Sequence, residues 1–215
     1  MARTQAFERD VVIRAARMVF WRVGYDGASI PELEQATGLS RSSLYNTFSS
    51  KRGLFDAAVQ SYLDELIRPR LAPLQAEVVA PGALLTYLTG LRDAFENLQS
   101  MPAAYGCMLI NTASTPLAED EHVRQVIADY KRELHSALTR GLDAAIHDEA
   151  CGEGANPEVL TALVVAGFAI ARVDPREAAG FVSSAIRIVR NQVGSIDTEC
   201  QAPGFVEGLE IGKLS

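Results

Sequence analysis

Wherever this chain carries a clear apolar pattern, the pattern returns every three or four residues. Val12, Ala15, Ala16, Val19, Phe20 and Val23 set it early, and Val123, Ile127, Leu134, Leu138, Leu142 and Ile146 repeat it late. That is the spacing of one helix face. No stretch alternates with the period of two of a half-buried strand. The fold class expected is therefore all-α, with about nine helices. Gly24 and Gly38 mark two stops, and Pro69 and Pro73 a third. Further helices are expected over 81–100, 102–113, 119–149, 156–173 and 174–193, the last two opened by a polar residue before proline (Asn156-Pro157, Asp174-Pro175). Residues 151–155 read as a loop, and 194–215 as a weakly periodic tail without stable structure.

Residues 29–52 run SIPELEQATGLSRSSLYNTFSSKR. Ser29 and Glu32 have the spacing of a capping box, with Pro31 tolerated in the first turn and Ile30, Leu33 and Ala36 as a short apolar face. After Gly38, Leu39 plugs the core and Ser40 opens a short helix held by Leu44 and Phe48. Helix, glycine turn and short polar helix make the layout of a helix-turn-helix. On the short helix Arg41, Ser42, Ser43 and Asn46 can reach phosphates or base edges, and Tyr45 can donate to a phosphate while its ring packs. Lys51 sits near a helix N-terminus, where backbone N–H groups also favour an anion. Charge agrees with this polarity. The whole chain carries −7, but residues 1–52 hold 8 Lys/Arg against 5 Asp/Glu, a basic head on an acidic body.

This segment resembles the DNA-binding domain of the TetR/AcrR family of bacterial repressors. The resemblance runs through Val12, Ala15, Ala16, Val19, Phe20, Gly24 and Tyr25, then Ser29, Ile30, Leu33, Gly38, Leu39, Ser40, Leu44, Tyr45, Phe48, Ser50, Lys51 and Leu54, over residues 5–58. Glu34 stands where the family has a small residue, Thr47 where an aromatic or His is common, and Arg3 is what remains of a basic arm. The resemblance implies a three-helix head with the helix-turn-helix over 1–52, and a larger ligand-binding and dimerisation domain over 53–193. The function implied is a ligand-responsive regulator, a repressor binding a palindromic operator as a homodimer and released by a small, largely apolar effector. An activator is the alternative within the family. The DNA-contacting set it implies is Arg3, Ser29, Arg41, Ser42, Ser43, Tyr45, Asn46, Thr47 and Lys51.

In the second half, Tyr105-Gly106-Cys107-Met108-Leu109-Ile110-Asn111-Thr112-Ala113 resembles a Gly-Cys-apolar-apolar-x-Asn-x-Ala stretch of one branch of the family, implying a central helix beside the pocket. Candidates for the pocket wall are Leu91, Phe95, Met101, Tyr105, Cys107, Met108, Asn111, Tyr130, Leu134 and Phe168, with Asn111 and Tyr130 as polar handles. The dimer surface is expected on the last two helices, through Leu160, Leu163, Val164, Gly167, Ala171, Phe181, Ala185, Ile186 and Val189; packing of both helices within one subunit is the competing reading.

Other classes find less support. Cys107, Cys151 and Cys200 are odd in number and form no CxxC pair, which disfavours a disulfide framework or zinc site. Cys107 reads as a buried inert thiol or, less simply, as an electrophile sensor, though no basic residue neighbours it in sequence. His147 and Cys151, four apart among acidic residues, read as a solvated helix end rather than a metal site. An enzyme using Cys107 as nucleophile would need a nearby histidine base, which the spacing of His122, His135 and His147 does not supply. No cofactor is expected. No apolar run reaches the ~18 residues of a membrane span, and Met1–Asp10 is polar, so a cytoplasmic location is expected.

Overall fold

The computed structural model describes residues 2–146 and 156–199, with side chains described for 9–146 and 156–193. The described residues form helices joined by turns, with no strand among them. The order is α1 (Ala2–Gly27), α2 (Ile30–Thr37), α3 (Arg41–Phe48), α4 (Lys51–Tyr62), a π-helical turn (Leu63–Ile67), α5 (Arg68–Gln75), α6 (Ala83–Glu96), α7 (Met101–Tyr105), α8 (Met108–Ala113), a 3-10 turn (Pro116–Glu119), α9 (Glu121–Ala145), α10 (Pro157–Ile170) and α11 (Pro175–Glu199). These segments make nine rods, because α4, the π turn and α5 are continuous and α7 and α8 are one interrupted helix.

The caps follow the sequence closely. Ser29, Ser40 and Ser50 each stand in extended backbone and accept an N–H from three residues on, at 3.3, 3.3 and 3.0 Å. Asp120 caps α9 in the same manner, and Asn156 caps α10 by accepting the N–H of Glu158, two residues on. The capping box at Ser29 is only half made: the Glu32 carboxylate turns to Arg22 Nη2 at 2.6 Å instead of back to the cap. Gly24 and Gly38 interrupt helical backbone as expected.

Several boundaries differ from the sequence expectation. Pro69 and Pro73 do not end the fourth helix. The π turn shifts the hydrogen-bond register by one residue, Arg68 N–H reaching Leu63 O, and Pro69 then falls at the start of α5, where a missing N–H is tolerated. The helix expected over 81–100 spans only Ala83–Glu96; Ser100 Oγ bonds Ala94 O and caps α7 instead. The helix over 102–113 breaks at Gly106, whose φ of 64° and ψ of −142° lie outside helical space. The last helix continues past Val193 to Glu199, its polar composition from 194 onward notwithstanding. Ala36 and Val23, assigned to apolar faces, are exposed. Residues 147–155, with His147, Cys151 and the expected loop, and residues 200–215, with Cys200 and most of the tail, lie outside the described residues.

A single apolar core runs from α1 into α11. At its head end Phe55 meets Phe20 and Tyr25 edge-on, both at 5.2 Å between ring centroids. Trp21 meets Tyr62 at 4.9 Å. At the other end Phe95 of α6 meets Phe168 of α10 at 5.4 Å. Geometries of this kind add about 0.5–1.5 kcal/mol each beyond the area buried. No described helix is long and apolar enough to cross a membrane.

Candidate nucleic-acid interface and effector cavity

The helix-turn-helix owes its shape to the alternation of core and solvent positions on α3. Leu44 and Phe48, four residues apart, are buried, which turns Arg41, Ser42, Asn46 and Thr47 outward and leaves Ser43 and Tyr45 half-buried at the edges. Aromatic rings support the cations: Arg41 lies 5.5 Å over half-buried Tyr45, Arg9 lies 5.1 Å over buried Phe48, and Lys51 Nζ lies 4.5 Å over half-buried Tyr25. Ser42 and Ser43 share the Ser40 hydroxyl at 2.9 and 3.1 Å, so three hydroxyls cluster at the helix start. The backbone of Arg3 belongs to α1; its side chain lies outside the described residues.

Glu34 has a role the sequence did not disclose. Its carboxylate accepts the backbone N–H of Arg41 across the turn. It thereby satisfies one free donor of α3 and fixes the angle between α2 and α3. It also sets a negative charge at the edge of a surface otherwise suited to phosphate.

Polar contacts join this head to the rest of the molecule. Arg14 and Arg17 both bond Glu65, and Arg17 also bonds the hydroxyl and carbonyl of Ser61. Trp21 Nε1 donates to Gly106 O at 3.1 Å. Arg172 donates to Arg22 O at 2.7 Å. Arg52 bonds both Asp56 and Asp120, at 2.8 and 2.9 Å. Arg52 holds the Asp120 carboxyl well below the usual carboxylate range, helped by the Val123 N–H, and Arg14 and Arg17 lower Glu65. Both carboxylates are therefore more acidic folded than unfolded. Their contribution is fully present above about pH 4–5 and is lost as pH falls through the folded values. Melting temperature should decline on acidification below about pH 4. Asp120→Asn, which keeps the helix cap, should show a shallower decline; equal acid slopes would refute the Asp120 contribution.

Behind the head, α5, α6, α9 and α10 enclose a cavity of about 320 Å³. Of the residues expected there, Leu91, Tyr130, Leu134 and Phe168 line it. Phe95, Cys107 and Met108 are buried behind the wall, and Met101, Tyr105 and Asn111 lie outside it. The Cys107 thiol is fully buried and points to Tyr130 Oη at 3.6 Å. Asn111 donates to Tyr105 O at 2.7 Å, bracing the Gly106 turn rather than facing the cavity. The rest of the wall comes from the proline-bearing helix and from α6: Ile67, Pro69, Arg70, Leu71, Pro73, Thr86, Tyr87, Gly90 and Ala94. Sequence reading missed Pro69, Arg70, Leu71 and Pro73 because it ended the helix at Pro69 and Pro73; Thr86, Tyr87, Gly90 and Ala94 lie on an expected helix, where spacing does not mark which residues border a hollow. Burial pushes the phenols of Tyr62, Tyr87 and Tyr130 up, so all three are neutral donors at physiological pH.

On the far side, Leu160, Val164, Ala171, Ala185, Ile186 and Val189 are buried within the subunit, and Gly167 faces Phe95, Ala178 and Val182 of its own chain. The surface that α10 and α11 leave open is carried instead by half-buried Leu163, Val165, Ile170, Phe181 and Ile188 with exposed Val159. An open apolar groove of about 720 Å³ between α9 and α10 adjoins it.

Comparison with known proteins gives these features a context. The family model "Bacterial regulatory proteins, tetR family" matches residues 12–58. The chain is similar to the uncharacterized HTH-type transcriptional regulator YezE of Bacillus subtilis (strain 168), 31% identical over 66% of this chain and 72% of that one. It is similar to the HTH-type transcriptional repressor ComR of Escherichia coli (strain K12), 33% identical over 53% of each chain, so the match spans about half of that protein. Among solved structures it resembles the TetR family transcriptional regulator CifR, a cysteine mutant complexed with 26-base-pair operator DNA. There the TM-score is 0.64 and the identity 28%, over 83% of this chain and 95% of that one.

Proposed function

The chain belongs to the tetR family of bacterial regulatory proteins, and from that premise we propose that it is a transcriptional repressor that binds a palindromic operator as a homodimer and leaves it when a small molecule enters the cavity behind α5 and α6. Residues 1–52 form the DNA-binding head, 53–193 the effector and dimer domain, and 194–215 a tail. The protein acts in the cytoplasm and needs no cofactor.

One observation carries the DNA-binding part. Burial of Leu44 and Phe48 fixes α3 so that Arg41, Ser42, Asn46 and Thr47 stand outward together, with Tyr45, Ser43 and Lys51 at the rim. Arg41, Asn46 and Thr47 have the chemistry to read base edges; Ser29, Ser42, Ser43, Tyr45 and Lys51 have the chemistry to hold phosphate. Arg3 would add a further phosphate contact. Two such helices related by a two-fold axis fit major grooves about 34–36 Å apart. The open apolar surface of α10 and α11, with Leu163, Phe181 and Ile188, is the surface proposed to meet its copy.

Selection of bound sequences from random duplex DNA tests this reading. The wild type should enrich one palindrome, with affinity falling steeply as salt rises. Tyr45→Ala should keep its melting temperature within about 1 °C, since the side chain is half-buried at the edge, yet lose at least tenfold in affinity. Failure to enrich any sequence at low salt would overturn the repressor reading.

A further inference from the structure

The lining of the cavity is chemically lopsided. Ile67, Leu71, Leu91, Leu134 and Phe168 form an apolar body, and the hydroxyls of Tyr87 and Tyr130 are nearby polar atoms. Arg70 is the only charged residue in the described lining, and no carboxylate lines it. The neighbouring cation is accounted for: Arg68 pairs with Asp64 and Glu133. The Arg70 guanidinium makes no ion pair or hydrogen bond with any described residue. Its charge is felt inside, where it partly offsets the burial that raises Tyr87 and Tyr62. An unpaired guanidinium at the mouth of an apolar pocket matches a carboxylate, whose two oxygens fit its planar fork. The neutral phenols of the lining can donate to a further acceptor. A cation would find no counter-charge there. The volume of about 320 Å³ is at the small end of the ~300–1,000 Å³ range of small-molecule pockets.

Resting on the reading of this cavity as the effector site, we infer that the effector is a compact organic acid: one carboxylate seated on Arg70, carried by an apolar body that fills the space between Leu71, Leu91, Leu134 and Phe168. Selectivity then comes from charge at the mouth and from size inside. Molecules of the same shape are sorted by whether they bring an anion to Arg70.

Calorimetric titration of the full chain, without DNA, tests this with phenylacetate, its neutral isostere phenylacetamide and the cation phenethylamine. Phenylacetate should bind at least about tenfold more tightly than either, the worth of a charged hydrogen-bonded pair. Arg70→Gln, on an exposed side chain, should remove that preference while leaving phenylacetamide unchanged. Gly90→Leu, which adds a side chain to a residue of the lining where a Cβ meets no atom within 4 Å, should weaken every probe. Equal binding of acid and amide, unchanged acid affinity in Arg70→Gln, or no binding of phenylacetate by the wild type would each overturn the inference. Acid binding that follows this pattern but leaves operator affinity unchanged would instead sink the effector reading and leave the chemistry of the cavity standing.

Discussion

Replacing Gly106 with alanine should destabilise the protein by about 3 kcal/mol or more, a fall in melting temperature of roughly 6–12 °C for a chain of this size. Two causes add. The backbone at Gly106, with φ 64° and ψ −142°, occupies a region that side-chain-bearing residues enter at a cost of about 1–3 kcal/mol. A Cβ there would also stand 2.5 Å from the Phe168 carbonyl oxygen, a backbone atom of α10 that no rotamer change can move. Because the Gly106 carbonyl accepts from Trp21 and Phe168 lines the cavity, the shift has consequences at both ends. It pushes a cavity wall outward and disturbs a contact on α1. Gly90→Ala is the control. Gly90 is exposed within α6, nothing lies near its Cβ, and alanine there should stabilise by about 0.5–1 kcal/mol. Thermal melts of the two variants decide the matter, and a Gly106→Ala protein melting within about 1 °C of wild type would refute the close approach of the turn between α7 and α8 to α10.

How much of this was legible beforehand depends on what kind of neighbour each residue meets. The all-helical class, the serine caps and the outward face of α3 follow from local spacing, and local spacing is what a sequence records. Pro69 misled because proline reads as an end unless a π turn precedes it, and that register shift has no sequence mark of its own. Glu34 reaches Arg41 across a turn, so its role depends on the angle between two helices. The cavity wall is harder still. Leu91 and Phe95 share one face of α6, four residues apart, yet one borders the space and the other is packed behind it. Periodicity distinguishes inside from outside, not a filled interior from a hollow one. On α10 even that fails, since the helix is apolar nearly all round: Leu160 and Val164 face the home subunit while Leu163 is left partly open.

The turn between α3 and α4 sets the second large effect. Gly53 is the third residue of α4, and its N–H is held by Ser50 Oγ at 3.0 Å. A Cβ on it would stand 2.1 Å from the carbonyl oxygen of Phe48, the last residue of α3. No such contact survives, so Gly53→Ala must push the end of α3 away from α4. The ring of Phe48 is buried beneath Arg9 and resists that movement. The expected cost is about 3 kcal/mol or more, the upper range for forcing atoms into a packed site. Operator affinity should fall by more than tenfold even well below the melting temperature, because the outward face of α3 turns with its backbone. Ser49→Gly separates this from a general weakness of the turn. Ser49 has φ 66°, a left-handed conformation that costs a side-chain-bearing residue about 1–2 kcal/mol. Glycine at 49 should therefore raise the melting temperature while Gly53→Ala lowers it. If the alanine variant kept both its melting temperature and its operator affinity, α3 could not be seated on α4 as closely as described, and the assignment of its exposed face would fall with it.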